Sequence, residues 1–432
     1  MFTKNLFPVS IFLFVSVLFF SCKKEATEMP FAELNFQVVN VTNGFYHCTW
    51  NAPNISTYKN YYIVHSPFIL GIDDDPKSIY FKRRTIISGQ TRDDEILFVR
   101  NNYGLTLYFQ LFIDIGDRYV RSNVVSFETP NSETIDTDAV SALHYPNKNA
   151  IYISNFGLRG LNYYDEDEKI IKEKTELDFN FRATTAQVGN NGFGDEIYAI
   201  DGNELVIFNA ETLEEKDRYT ASGVIYSVAT NDNGLIAITV RNSSKKIQIL
   251  ARENLTIINN LASSNLYDES RGVAFLSKEN NELVEIGRDS MTYFKLDENG
   301  MQEESNSESN PFSDAAARGQ IIVSSSGNFY VNSRKGHVFD SDLNGIVELY
   351  LLSGNYYYYS NYFFNKEETF LYAIPSGSER FIDKFSIPNF ELVDRKEFVN
   401  GIPLELFYRD DEIQVVIFTN DFNCTYIQPL NF

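Results

Sequence analysis

Metal-binding histidine is the first thing this sequence lacks. Its four histidines, His47, His65, His144 and His337, stand far apart, with no HxH or HExxH spacing to bring two imidazoles onto one metal. No GxSxG segment occurs, which removes the exposed nucleophile of that strand–turn–helix elbow. Basic residues are outnumbered, 37 Lys and Arg against 59 Asp and Glu, for a net charge of −22. Such a chain offers no footprint for nucleic acid, because phosphate contacts need clustered Lys and Arg. After residue 21 no apolar run approaches the about 20 residues that a membrane-crossing helix requires. Helix signals are scarce as well. Aromatic residues are abundant instead, with 36 Phe and 27 Tyr, and the residue choice points to an all-β protein.

The first residues stand apart from the rest. Lys4 precedes an uncharged run from Leu6 to Ser21, and the run stops at Cys22-Lys23-Lys24-Glu25. A basic start, a short apolar region and a small residue before a cleavage point describe a secretory signal. "CKKE" resembles the short charged stretches at the anchor cysteine of Bacteroidota surface lipoproteins, although Phe19 and Phe20 stand where a Leu and a small residue are commoner. That resemblance implies cleavage after residue 21, lipid on Cys22, a linker over 22–30 and a location at the bacterial outer membrane. The protein would face either the periplasm or the cell exterior. The remaining cysteines, Cys48 and Cys424, read as two buried free thiols; a disulfide between them would need their Cα atoms within about 7 Å.

Residues 31–130 read as about seven short strands between turn signals, the signature of a β-sandwich. "LNFQVVNV", Asn43-Gly44 and "FYHCTWNAP" begin the series. Side chains alternate in a strand, so Tyr46, Cys48 and Trp50 share one face, and the only tryptophan is a core residue. "CTWNAP", "LYFQLFIDIG" and "SNVVSFETP" resemble strands of a fibronectin type III domain, which implies a spacer or adhesion module. "IDDDP" at 72–76 reads as a solvated loop.

Residues 131–432 repeat. Apolar second strands are predicted near Ala150, Glu196, Leu235, Glu282, Asn328, Thr369 and Ile413, at steps of 46, 39, 47, 46, 41 and 44 residues. Four-stranded units of about 40–45 residues are the blades of a β-propeller. The pattern resembles seven-bladed propellers of the WD40 or YVTN type, without a WD or YVTN signature in any blade. The seventh unit ends at "CTYIQPLNF" with no room for a fourth strand, and "SETIDT" before blade one is the predicted donor that closes the ring. Of two acidic stretches, "YYDEDEKIIKEKTE" reads as an outer strand and "ENGMQEESNSESNP" as a loop between blades.

Loops that enter the innermost strands gather at one rim of a propeller. Arg182, Arg271 and Arg318 precede a small residue at equivalent places in three blades, and converging guanidiniums would hold carboxylate, sulfate or phosphate. Pairing with neighbouring acids, such as Asp268, Glu269 or Asp314, is the competing use. In "GNYYYYSNYFFN", Tyr356 and Tyr357 are placed to stack on a sugar or peptide, against packing between blades. No catalytic residue and no cofactor is called. The sequence therefore predicts a non-catalytic lipoprotein whose propeller binds a glycan, a peptide or another envelope protein. The alternative is a propeller enzyme, either a glycan hydrolase or lyase or a metal-dependent lactonase.

Overall fold

The computed structural model describes residues 34–432 except 43–44, 52–59, 70–84, 90–93, 99–105, 117–118, 128–132, 156–158, 184–185, 242–246, 263–271, 278, 288–289, 313–320, 333–334, 354–357, 399–400 and 420–423. Cys22, the 22–30 linker and the acidic run at 72–76 therefore lie outside the described residues. The regular elements described are antiparallel strands apart from two short helical turns, Pro146–Lys148 and Leu349–Leu352.

The N-terminal unit consists of two sheets. One joins Gln37–Thr42, Phe45–Thr49 and Asp94–Phe98; the other runs in the order Thr85–Gly89, Asn60–Ser66, Leu107–Asp114, Tyr119–Phe127. Tyr46, Cys48 and Trp50 are all buried, as their shared face predicts. Across the core Tyr46 meets Phe109 and Trp50 meets Tyr61, each pair with ring centroids 4.9 Å apart. This core is continuous with the one formed by Tyr372, Ile382, Leu406 and Ile417 of the last two blades. Cys48 and Cys424 are buried within it, and neither is in a disulfide.

Seven four-stranded sheets follow. Their inner strands are Ala139–Tyr145, Gln187–Asn191, Ile225–Thr230, Gly272–Phe275, Ile322–Val323, Tyr359–Phe364 and Ile402–Arg409. The second strands, Ala150–Asn155, Gly194–Asp201, Leu235–Val240, Glu282–Ile286, Phe329–Asn332, Phe370–Pro375 and Glu412–Thr419, stand where the repeat predicts them. Both faces of a second strand are covered by neighbouring blades, so Leu235–Val240 is buried at every position and reads as an unbroken apolar run.

Outer strands show the opposite pattern, and one corrects the sequence reading. Gln302–Ser309, expected to be a loop, is the outer strand of the fourth blade and is exposed at every position. Ladder pairing with Ser290–Leu296 overrides a sequence with little strand preference, since β-propensity mostly reports half-burial.

Ring closure uses the predicted donor. Glu133–Ile135 pairs antiparallel with Cys424–Pro429, placing Ile135, Thr134 and Glu133 opposite Thr425, Tyr426 and Ile427. Side chains clamp the seam: Thr425 Oγ1 donates to the Thr137 carbonyl (2.8 Å), while Arg409 reaches Glu133 (3.0 Å) and Glu166 (3.2 Å). Similar polar ties join neighbouring blades elsewhere, such as Lys148 to Asp195 (3.0 Å) and Asn231 Nδ2 to Asn281 Oδ1 (2.8 Å).

The densest tie lies between blades two and three. Glu196 is completely buried and receives two hydrogen bonds from Arg252, both 2.7 Å, one from the Tyr198 hydroxyl at 2.7 Å, and an ion pair from Lys216. Burial alone would raise this carboxyl, but the donors together outweigh it and hold Glu196 below the ordinary glutamate value.

Candidate functional site: the rim cavity

Inner strands begin, and second strands end, at the same rim, because the two are antiparallel. A cavity of about 760 Å³ opens there, lined by residues of blades one, two, three, five, six and seven. Blade four contributes no described residue, and its entering segment 263–271 lies outside the described residues.

Local backbone irregularity turns side chains into this cavity. In four blades the pairing of inner and second strands slips by one residue near the rim, leaving Val140, Tyr226, Ser360 and Leu404 as the extra residues. All four line the cavity. A bulge that adds one residue bends the strand and re-aims a side chain, and here the same device recurs around the rim.

Arg182 reaches the cavity by simple alternation. In the segment before the second inner strand, Phe179, Phe181 and Ala183 are buried while Asn180 and Arg182 are not. Asn180 and Arg182 both line the cavity. The Ala183 N–H donates to Ser141 Oγ of blade one (3.3 Å), fixing the backbone beside the guanidinium. Arg271, Arg318, Tyr356 and Tyr357 lie outside the described residues.

Three further charged residues stand on the wall: Asp201, Arg241 and Glu405. Asp201 and Arg241 close second strands, in "YAID" and just after "ITV", whereas the pattern that marks Arg182 belongs to the segments entering inner strands. Counting both ends that meet at this rim would have found them. The backbone near Arg241 is tightly packed: its N–H donates to the Val224 carbonyl (2.8 Å), and a Cβ on Gly223 would stand 2.1 Å from the Arg241 carbonyl oxygen. Only glycine fits that approach.

Glu405 carried no sequence signal, since a lone glutamate in "IPLELFYR" is indistinguishable from a surface residue. It follows the bulge at Leu404 and is only 8 % exposed. Its Oε1 accepts both Asn361 Nδ2 and the Leu406 N–H, each at 2.9 Å. Burial outweighs these two hydrogen bonds and pushes the carboxyl up to about 8, so Glu405 is mostly a neutral acid at pH 7.

The tyrosines of this wall divide. Tyr359 is buried, and its hydroxyl donates to Asp383 (2.6 Å), which Arg395 holds by two hydrogen bonds of 2.6 and 2.8 Å. Burial first, then the Asp383 charge, raises its pKa. Its hydroxyl is committed to the blade interior. Tyr226 is half-buried at the rim. Among the described residues no group of three or more His, Cys, Asp and Glu side chains is arranged to hold a metal ion.

The fold and the rim cavity define a β-propeller. The β-propeller domain of Cps50 (Swd1) from Myceliophteria thermophila is similar over its whole length and 69% of this chain, with a TM-score of 0.51 and 8% identity. At that identity the likeness establishes the fold alone. No protein-family model and no curated protein matches the sequence.

Proposed function

We propose that the chain is a non-catalytic, lipid-anchored envelope protein that binds a partner at the propeller rim. In this reading lipid on Cys22 anchors it at the bacterial outer membrane. Residues 31–130 serve as a fibronectin type III-like spacer, a role supported by two facing sheets of three and four strands. The partner is a glycan, a peptide or another envelope protein. The observation that carries the reading is the rim cavity, whose size falls in the roughly 300–1,000 Å³ range of ligand sites and whose wall holds Arg182, Arg241, Asp201 and Glu405. Arg271, Arg318, Tyr356 and Tyr357 are proposed to complete the rim.

One observation favours the enzyme reading: Glu405 and Asp201 give the cavity two carboxylates, the pair a glycosidase needs. Glycan and peptide arrays probed with the full chain and its Arg182→Glu variant test the binding reading. Capture of intact ligand that the variant loses is the expected result. Equal capture by both proteins overturns the site, and release of cleaved product overturns the non-catalytic reading.

A further inference from the structure

Arg182 and Asp201 of blade two and Arg241 of blade three stand on one side of the cavity, and Ser360, Asn361 and Glu405 stand on blades six and seven across the ring. Both hydrogen bonds to Glu405 enter Oε1, so Oε2 has no protein partner among the described residues, although the side chain is more than nine-tenths buried and lines the cavity. Oε2 is thus a carboxyl oxygen at the cavity wall with its hydrogen-bonding capacity left for a ligand.

We propose that the cavity takes a sugar acid, with the ligand carboxylate on Arg182 and Arg241 and a ligand hydroxyl on Glu405 Oε2. This rests on the reading of the cavity as a binding site and names its ligand class. Each guanidinium also interacts elsewhere in the protein, and its planar set of five N–H donors leaves room for a carboxylate as well. A neutral Glu405 both donates and accepts, matching a hydroxyl, and does not repel the acid. Ser360 and Asn361 suit further hydroxyls, and the half-buried Tyr226 offers a ring to a sugar's C–H face. A compact wall of this kind fits a polyhydroxylated small molecule better than an extended peptide, whose backbone groups would need a strand edge along their length.

The other described titratable and charged groups on this wall are Arg182, Asp201, Tyr226, Arg241, Tyr359 and Tyr362. An arginine guanidinium keeps its charge at all working pH values. Tyr359 and Tyr362 are raised by burial and stay neutral.

Calorimetric titration of the full chain with D-galacturonate and D-glucuronate, beside D-galactose, D-glucose and a tripeptide, tests the assignment. The uronates should bind at least about tenfold more tightly than the neutral sugars, the effect of one charged hydrogen-bonded contact. Arg182→Ala and Arg241→Ala should each erase that preference. Uronate affinity should fall as pH rises through about 8, where Glu405 ionises. Glu405→Gln, which keeps a donor, should bind without that fall, and Glu405→Leu should weaken binding about tenfold with an unchanged circular dichroism spectrum. If a neutral sugar or the peptide binds more tightly than the uronates and loses affinity in Arg182→Ala, the cavity reading stands and the sugar-acid assignment falls. If uronate binding ignores all the substitutions, or nothing binds, both fall.

Discussion

Replacing Arg252 by methionine should destabilise the propeller by about 3 kcal/mol, the low end of the cost of breaking a buried ion pair from one side. The low end applies because Glu196 would keep Lys216 and Tyr198 after losing its two hydrogen bonds from Arg252. Methionine retains much of the apolar stem, so the loss is mainly electrostatic. Glu196 has no exposure and Arg252 only 3 %, so water cannot replace the missing donors without opening the seam between blades two and three. Urea unfolding followed by far-ultraviolet circular dichroism measures the effect, and the midpoint should drop by up to about 1 M, since m is large for a chain of this size. The double variant Glu196→Leu, Arg252→Met should be less destabilised than the two single changes added together, because it leaves no orphaned carboxylate. Simple additivity, or a single-variant cost below about 1 kcal/mol, would refute the argument that this seam depends on a dry ion pair.

Three other outcomes follow from the same structure. Glu405 is protonated in the folded chain up to about 8 and titrates at 4.5 as an ordinary glutamate, so folding retains a proton across that window and stability must fall as pH rises through it. Glu405→Gln should flatten that part of a urea-midpoint profile from pH 5 to 8; an unchanged slope would assign the dependence to other groups. Gly223→Ala should distort the rim and lower the melting temperature, since the clash is with the Arg241 carbonyl and no side-chain rotation relieves it; a crystal structure with an unmoved Arg241 would contradict this. Native protein should show no rapid reaction with Ellman's reagent, and lipidated protein should show two thiols after unfolding, from Cys48 and Cys424; a third would mean that Cys22 is free.

The architecture was legible because burial repeats. Second strands are covered on both faces, so each left an apolar run at a regular step, and the missing fourth strand of the last blade pointed directly to Glu133–Ile135. Polar outer strands leave a weaker trace: Ile170–Glu176 read as one from its two isoleucines, whereas Gln302–Ser309 holds no apolar residue and read as a loop. The rim was only partly legible. Arg182 showed itself by its place before a small residue at the entry to an inner strand, whereas Asp201 and Arg241 come to the rim only because antiparallel neighbours bring their strand ends there. Glu405 depends on a one-residue bulge and on burial by other blades, neither of which is written near residue 405.

The closing strand also sets a clock on folding. Glu133–Ile135 leaves the ribosome early, yet its partner Thr425 lies 290 positions later, opposite Ile135. At about 5–20 residues per second, synthesis of the intervening chain takes about 15–60 s. During that interval the outer strand of the seventh blade waits for the three strands it joins, which are made last. Loop-closure entropy over such a separation slows the last step further. A chain cut short just before Cys424 keeps the donor strand and loses its acceptor, which leaves Glu133–Ile135 unpaired and Glu412–Thr419 as an open sheet edge.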